Sequence, residues 1–252
     1  MAFPAKIGTV IYKYDRQERG LKQYILKEYG SWGVMTLSYL TGIILGGRVT
    51  AGAVAVFIAI ALYINSKQAF VLWMRRRAEN RTKALVMFMA QVAAATVILL
   101  FVLGSRLFSL IPYAVVPLAY LLCLRLLGEH SILTEISGFV LLSLSSLVAK
   151  LTTAGVADPA LFIAVAVFFT AGVFKVRVQF KKGIVQRILM VVYIAFAFIV
   201  YRLIPMPALA LSPLIDNLIF SLTLYRVKVR VTGWLEVMKG VAFLLLMAMS
   251  YR

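Results

Sequence analysis

Nine apolar runs follow one another along this chain, most of them near the length a helix needs to cross a bilayer. They fall at about 32–47, 49–73, 84–104, 107–127, 132–154, 159–176, 184–204, 207–224 and 233–250. At about 1.5 Å per residue, roughly 20 residues span the ~30 Å of hydrocarbon. Lipid satisfies no backbone N–H or C=O, so a run that enters it must be helical. The pattern predicts an all-α polytopic membrane protein with about nine transmembrane helices. Composition agrees, with 63% hydrophobic residues and a mean hydropathy of +0.95, where soluble domains hold about 45–50%.

The chain carries 27 Lys and Arg against 9 Asp and Glu, a formal charge of +18. In a soluble protein that excess would point to nucleic acid. Here the basic residues lie between apolar runs, where orientation and anionic lipid headgroups account for them. One set of connections holds the charges of residues 6–27, 75–83, Arg125, 175–187 and 226–239. The alternate set holds only Arg48, Arg106, Lys150, Arg202 and Arg252. The positive-inside rule then places the N-terminus in the cytoplasm and the C-terminus outside, in the cytoplasmic (inner) membrane. Residues 1–31 read as a basic cytoplasmic segment able to lie on the inner leaflet as an amphipathic helix. Residues 32–252 read as a single integral membrane helical domain. The first thirty residues hold no apolar core or small-residue cleavage site, so no signal peptide is expected.

One cysteine, Cys123, and one histidine, His130, leave no internal disulfide and no Cys or multi-His metal centre. No cofactor or metal is expected, and no Gly-rich phosphate loop or Ser-His-Asp spacing is present. The expected partners are membrane lipids and an anionic or lipid-like small molecule, not nucleic acid. No oligomeric state follows from the sequence.

Charged groups inside apolar runs carry what functional signal there is, because each costs about 2.5–3.5 kcal/mol to insert and needs a partner or a cavity. The candidate ligand-binding set is Asn65, Lys67, Gln68, Glu129, His130, Glu135, Lys175, Arg177, Asp216 and Glu236. Three readings stand for Lys67: snorkelling to headgroups, a structural ion pair, or a substrate contact. Glu135, one turn into the fifth run, is either a first-turn acid on the helix dipole or the partner of a cation. Glu236 has the same pair of readings, and the dipole is favoured. Glu129 and His130 default to solvated loop residues. Asp216 stands near the middle of the eighth run, beside Pro213. There it either bonds carbonyls that the proline frees, which is the favoured reading, or holds a proton or ligand. Lys67, Glu135, Lys175 and Arg177 are expected to line one polar cavity, with Glu135 paired to a cation. Gly42 and Gly46 form a G-x-x-x-G pair suited to close helix packing, as do Ser143, Ser145 and Ser146. Asp158-Pro159 reads as an N-cap followed by a first-turn proline.

Several local motifs resemble the YwiC-like family of bacterial membrane proteins. Lys27-Glu28-Tyr29-Gly30-Ser31-Trp32-Gly33 resembles its K-x-H-G-A-W opening, with Tyr29 where that pattern has histidine. Gly128-Glu129-His130-Ser131 through Glu135 resembles its polar N-E-R segment. Phe174-Lys175-Val176-Arg177 resembles its Y-V-R exit, and Gly233-Trp234-Leu235-Glu236 its G-x-x-E. That family carries no assigned activity. The nine-helix layout also resembles, more distantly, the UbiA-type prenyltransferase superfamily, whose loops after helices 2 and 6 hold Mg²⁺ on clustered aspartates. Here residues 65–80 offer Asn65, Lys67, Gln68 and Glu79, and residues 174–183 offer no acid. Mg²⁺ on a diphosphate needs carboxylates. Two function classes follow. One is a protein that binds or transports a lipid-like or anionic molecule through a polar pocket on the cytoplasmic side. The other is a membrane-embedded transferase on a UbiA-like scaffold.

Overall fold

The computed structural model describes residues 24–26, 28–74, 81–224 and 228–251. Most of the basic segment 1–31, with its expected amphipathic helix, and the charges of 75–80 and 225–227 lie outside the described residues. Nine α-helices and two 3₁₀ segments make up the described chain, and no strand occurs among the described residues. The helices are α1 (Tyr29–Gly46), α2 (Ala51–Met74), α3 (Arg81–Leu103), α4 (Val115–Leu127) and α5 (Ile132–Ala154). They continue with α6 (Pro159–Lys181), α7 (Ile184–Leu203), α8 (Ile215–Thr223) and α9 (Val229–Ser250). The 3₁₀ segments are Gly104–Ala114 before α4 and Ala208–Leu214 before α8.

Among the described residues six helical stretches are long and apolar enough to cross a membrane: Ala51–Met74, Arg81–Leu127, Ile132–Ala154, Pro159–Lys181, Ile184–Leu203 and Val231–Ser250. The chain is an integral membrane protein. One stretch joins α3, the first 3₁₀ segment and α4, and Ala208–Thr223 is shorter than the rest.

Helix ends follow local chemistry. Asp158 caps α6 by accepting from the Leu161 N–H at 2.9 Å, with Pro159 in the first turn. Ser131 does the same for α5 through Thr134 N–H at 3.2 Å. Two of the expected runs differ from the structure. The run at 107–127 is α-helical only from Val115, since Gly104 adopts φ +53° and Pro112 lacks an N–H. The run at 207–224 is likewise 3₁₀ until Leu214, with Pro213 inside it, so α8 has only nine residues. Asp216 therefore sits in the first turn of α8 and not in mid-helix.

Two compact units divide the chain: 1–28 with 58–101, and 29–57 with 102–252. In the first, Tyr24, Ala69 and Ala84 form a small core with Leu72, Trp73 and Phe88 around it. In the second, α6 is the central helix, buried over most of its length from Leu161 to Lys175. A helix apolar on all sides belongs in the middle of a bundle. Phe168 of α6 stacks on Phe243 of α9 with ring centroids 4.1 Å apart. Helix α1 lies along α5, and only glycine permits the approach. A Cβ on Gly42 would come within 2.2 Å of the Ser146 carbonyl oxygen, and one on Gly46 within 1.8 Å of Thr153 Oγ1. Ser145 of α5 closes the seam by donating to the Met35 carbonyl at 3.1 Å.

Candidate functional site

In the second unit a charged cluster forms where α6, α8 and α9 meet. Lys175 is about two turns from the C-terminal end of α6 and only 1% exposed. Its Nζ donates to Asp216 Oδ2 of α8 and lies 3.1 Å from Glu236 Oε1 of α9. Lys239 stands one turn beyond Glu236 on the same face, since residues three apart on a helix are neighbours. Its Nζ contacts Glu236 Oε1, lies 3.4 Å from Asp216 Oδ2, and donates to Asn217 Oδ1. Each of two ammonium groups thus touches the same two carboxylate oxygens. Charges alternate around a four-membered ring, an arrangement that offsets the desolvation of each member.

Apolar groups border the ring, and one polar atom beside it lacks a partner. Lys175 Nζ lies 5.7 Å from the centre of the Phe220 ring. The two carboxylates are about one third exposed, 33% for Asp216 and 30% for Glu236, while the lysines are buried. Asn217 is fully buried, and its Nδ2 finds no acceptor among the described residues. Buried polar atoms without a hydrogen bond are uncommon and call for an explanation.

The other candidates separate from this ring. Glu135, in the first turn of α5, is paired with a cation as expected: Arg177 Nε donates to its Oε2 at 2.8 Å. Arg177 also donates to the His130 carbonyl at 2.9 Å. His130 supplies a backbone oxygen there, and Glu129 is half-buried in the same turn. Lys175 and Arg177 are two residues apart, about 200° around a helix, so they face opposite flanks of α6. The single cavity expected for Glu135, Lys175 and Arg177 is therefore two separate networks. Lys67 belongs to the first unit, where its Nζ donates to both oxygens of Glu28 at 2.8 and 2.9 Å. Of its three readings the ion pair is the one observed. Asn65 accepts from the Leu26 N–H at 2.9 Å and donates to Gln91 at 3.0 Å, and Gln68 is half-buried on α2.

Asp216 has two cationic partners that the sequence does not place beside it: its carboxylate pairs with Lys175 and Lys239. One member of the ring, Lys239, is not a candidate in the sequence, where it falls among the charges of 226–239, and Asn217 beside the ring is not a candidate either. The available signal was the Glu236–Lys239 spacing inside an apolar helix.

A second lysine–carboxylate site, also unforeseen, lies at the other end of α6, about 26 Å along its axis from Lys175. Lys150 of α5 lies 2.5 Å from Asp158 Oδ2 and donates to Tyr251 Oη at 3.1 Å, while Tyr251 Oη donates to Asp158. Burial raises the Asp158 pKa, but hydrogen bonds from Lys150, Tyr251 and Leu161 outweigh it and hold the carboxyl below its ordinary value. Among the described residues no group of three or more His, Cys, Asp or Glu could hold a metal ion. Helix α6 ends in Lys181 and Lys182 with no acid nearby in sequence, a donor set that does not fit Mg²⁺.

The YwiC-like protein family model matches residues 25–150, half of the chain. Among curated proteins and among solved structures, none matches it.

Proposed function

We propose that this chain, which belongs to the YwiC-like protein family, binds an anionic, lipid-like small molecule within the helical bundle, as a step in holding or moving that molecule. The observation that carries this reading is the burial of Lys175 and Lys239 in apolar helices, 1% and 8% exposed, beside an amide nitrogen with no acceptor. The two ammoniums gather at one place, both in contact with the same two carboxylate oxygens, and buried cations so clustered are suited to an anionic headgroup.

We place the protein in the cytoplasmic membrane with nine crossings, the N-terminus inside and the C-terminus outside. The support is the alternation of basic connections. In that orientation the ring lies about 10 Å from the cytoplasmic ends of α6, α8 and α9, and anionic inner-leaflet lipids are its nearest source of ligand. A reporter active only in the cytoplasm, fused after Arg252, should stay silent; a strong signal would end the nine-crossing topology.

Native mass spectrometry of the gently solubilised protein tests the binding. A co-purified anion is expected on the wild type and absent from the Lys175→Met/Lys239→Met double variant. A wild-type protein that carries none would overturn the reading. Farnesyl diphosphate with Mg²⁺ should leave the melting temperature unchanged. A metal-dependent rise would replace binding with transfer on a UbiA-like scaffold.

A further inference from the structure

Asn217 stands beside the ring with half of its amide unused. It lies next to Asp216 at the start of α8 and is fully buried. Lys239 Nζ donates to its Oδ1. An ammonium carries donors only, so the amide oxygen must face Lys239 and the group cannot be turned over. The Nδ2 atom is thereby placed, and it finds no acceptor among the described residues. Holding Lys239 does not call for this donor, and a buried donor left unmade costs about 1–3 kcal/mol. The donor is also close to the ring. The two polar atoms of an amide are about 2.2 Å apart, so the nitrogen lies within about 5 Å of any ammonium that bonds the oxygen. An oxyanion that accepts from Lys239 has a second oxygen within reach of a donor that near.

We propose that Asn217 Nδ2 donates to a third oxygen of the bound anion and so selects a sulfate or phosphate monoester over a carboxylate. The inference rests on the anion-binding reading above and names the headgroup class of that same site. A carboxylate brings two oxygens in one plane, and the two ammoniums engage both. A sulfate or phosphate monoester brings three terminal oxygens that do not share a plane with its central atom. Once Lys175 and Lys239 each hold one, the third remains for the amide. The amide adds a directed donor without adding charge to a ring in which two lysines already face two acids. A diphosphate would bring a second phosphoryl group and further negative charge, for which these three donors make no provision.

Octyl sulfate and nonanoate are suitable probes, being of similar length and both ionised at neutral pH. Their binding to the full chain in neutral detergent would be followed by calorimetry, with inorganic sulfate as a third ligand. The wild type should bind octyl sulfate about tenfold more tightly than nonanoate, the worth of one hydrogen bond to a charged group. Asn217→Leu should lose that tenfold for octyl sulfate and leave nonanoate unchanged. Equal affinity of the wild type for the two amphiphiles would overturn the selection, and this comparison stands even if the variant fails to fold. An Asn217→Leu variant that weakens both in proportion would overturn the assignment, because the amide then serves only the ring. A variant that weakens neither would overturn it as well, leaving the amide to hold water. Weaker binding of inorganic sulfate than of its octyl ester supports a lipid-like ligand; equal binding would keep the selection and overturn the lipid-like class. Absence of binding by the wild type, or equal binding by Lys175→Met/Lys239→Met, would overturn the anion-binding reading and the selection with it.

Discussion

At the Asp158 end of α6 one lysine meets one carboxylate; at the Lys175 end two lysines meet two. The first site is fully served. Asp158 caps the helix with one oxygen and takes Lys150 and Tyr251 with the other. The second leaves Asn217 Nδ2 without an acceptor among the described residues, and its Lys175 is almost wholly removed from solvent. A terminal ion pair that doubles as a cap explains itself by the helix end it stabilises. A ring inside apolar helices has no such local purpose, and the contrast identifies the second site as the functional candidate.

The comparison breaks first at Lys175. Lys175→Met leaves two carboxylates to Lys239 alone, and removal of one partner of a buried network costs about 3–5 kcal/mol. The melting temperature in detergent should fall sharply, and adding Asp216→Asn should restore part of it. A loss no larger than that of Asp158→Ala would erase the distinction between the two ends.

Asp158→Ala removes a cap and a pair whose side chains are only 13% and 14% exposed, an expected loss of about 2–3 kcal/mol. Asp158→Asn should keep much of the cap, because the amide oxygen still accepts from Leu161. The pH dependence sharpens the assignment. A carboxyl whose folded pKa is depressed contributes fully above its unfolded value near 4, and the contribution is lost as pH falls through the lower folded value. The stability gap between wild type and Asp158→Asn should be constant from pH 5 to 7 and close below pH 4. A gap that widens on acidification would contradict the pairing.

Arg177→Lys should cost about 0.5–1.5 kcal/mol, since one ammonium cannot reproduce the fork to Glu135 and the His130 carbonyl. Urea or thermal melts resolve that difference. Lys67→Met should have the smallest effect, below about 1 kcal/mol, because Glu28 and Lys67 are partly solvated. A larger loss at either position would mean that its ion pair supports more of the fold than its exposure implies.

Much of the fold was legible because its signals are local. The Asp158-Pro159 cap, the Gly42/Gly46 seam and most helix limits rest on a few consecutive residues. The misreadings came where a short-range conflict intervened: Gly104, Pro112 and Pro213 turn parts of two apolar runs into 3₁₀ segments. That shift moved Asp216 from mid-helix to a helix start. Among the site residues, the acids and Lys175 stand out as charges in apolar surroundings, whereas Lys239 reads as one of the connecting charges of 226–239.

Residue order alone settles that this chain is helical and membrane-embedded, because the length and hydropathy of each segment determine its state in lipid. It also marks the polar groups that need partners. Which partner each one finds is a matter of helix packing. Lys175 and Asp216 are 41 residues apart in the chain, and they meet because α6, α8 and α9 bring these side chains together, while the 200° turn from Lys175 to Arg177 sends the next cation to α5. Two cations near one helix end, Lys175 and Arg177, take different partners because the bundle surrounds them with different acids.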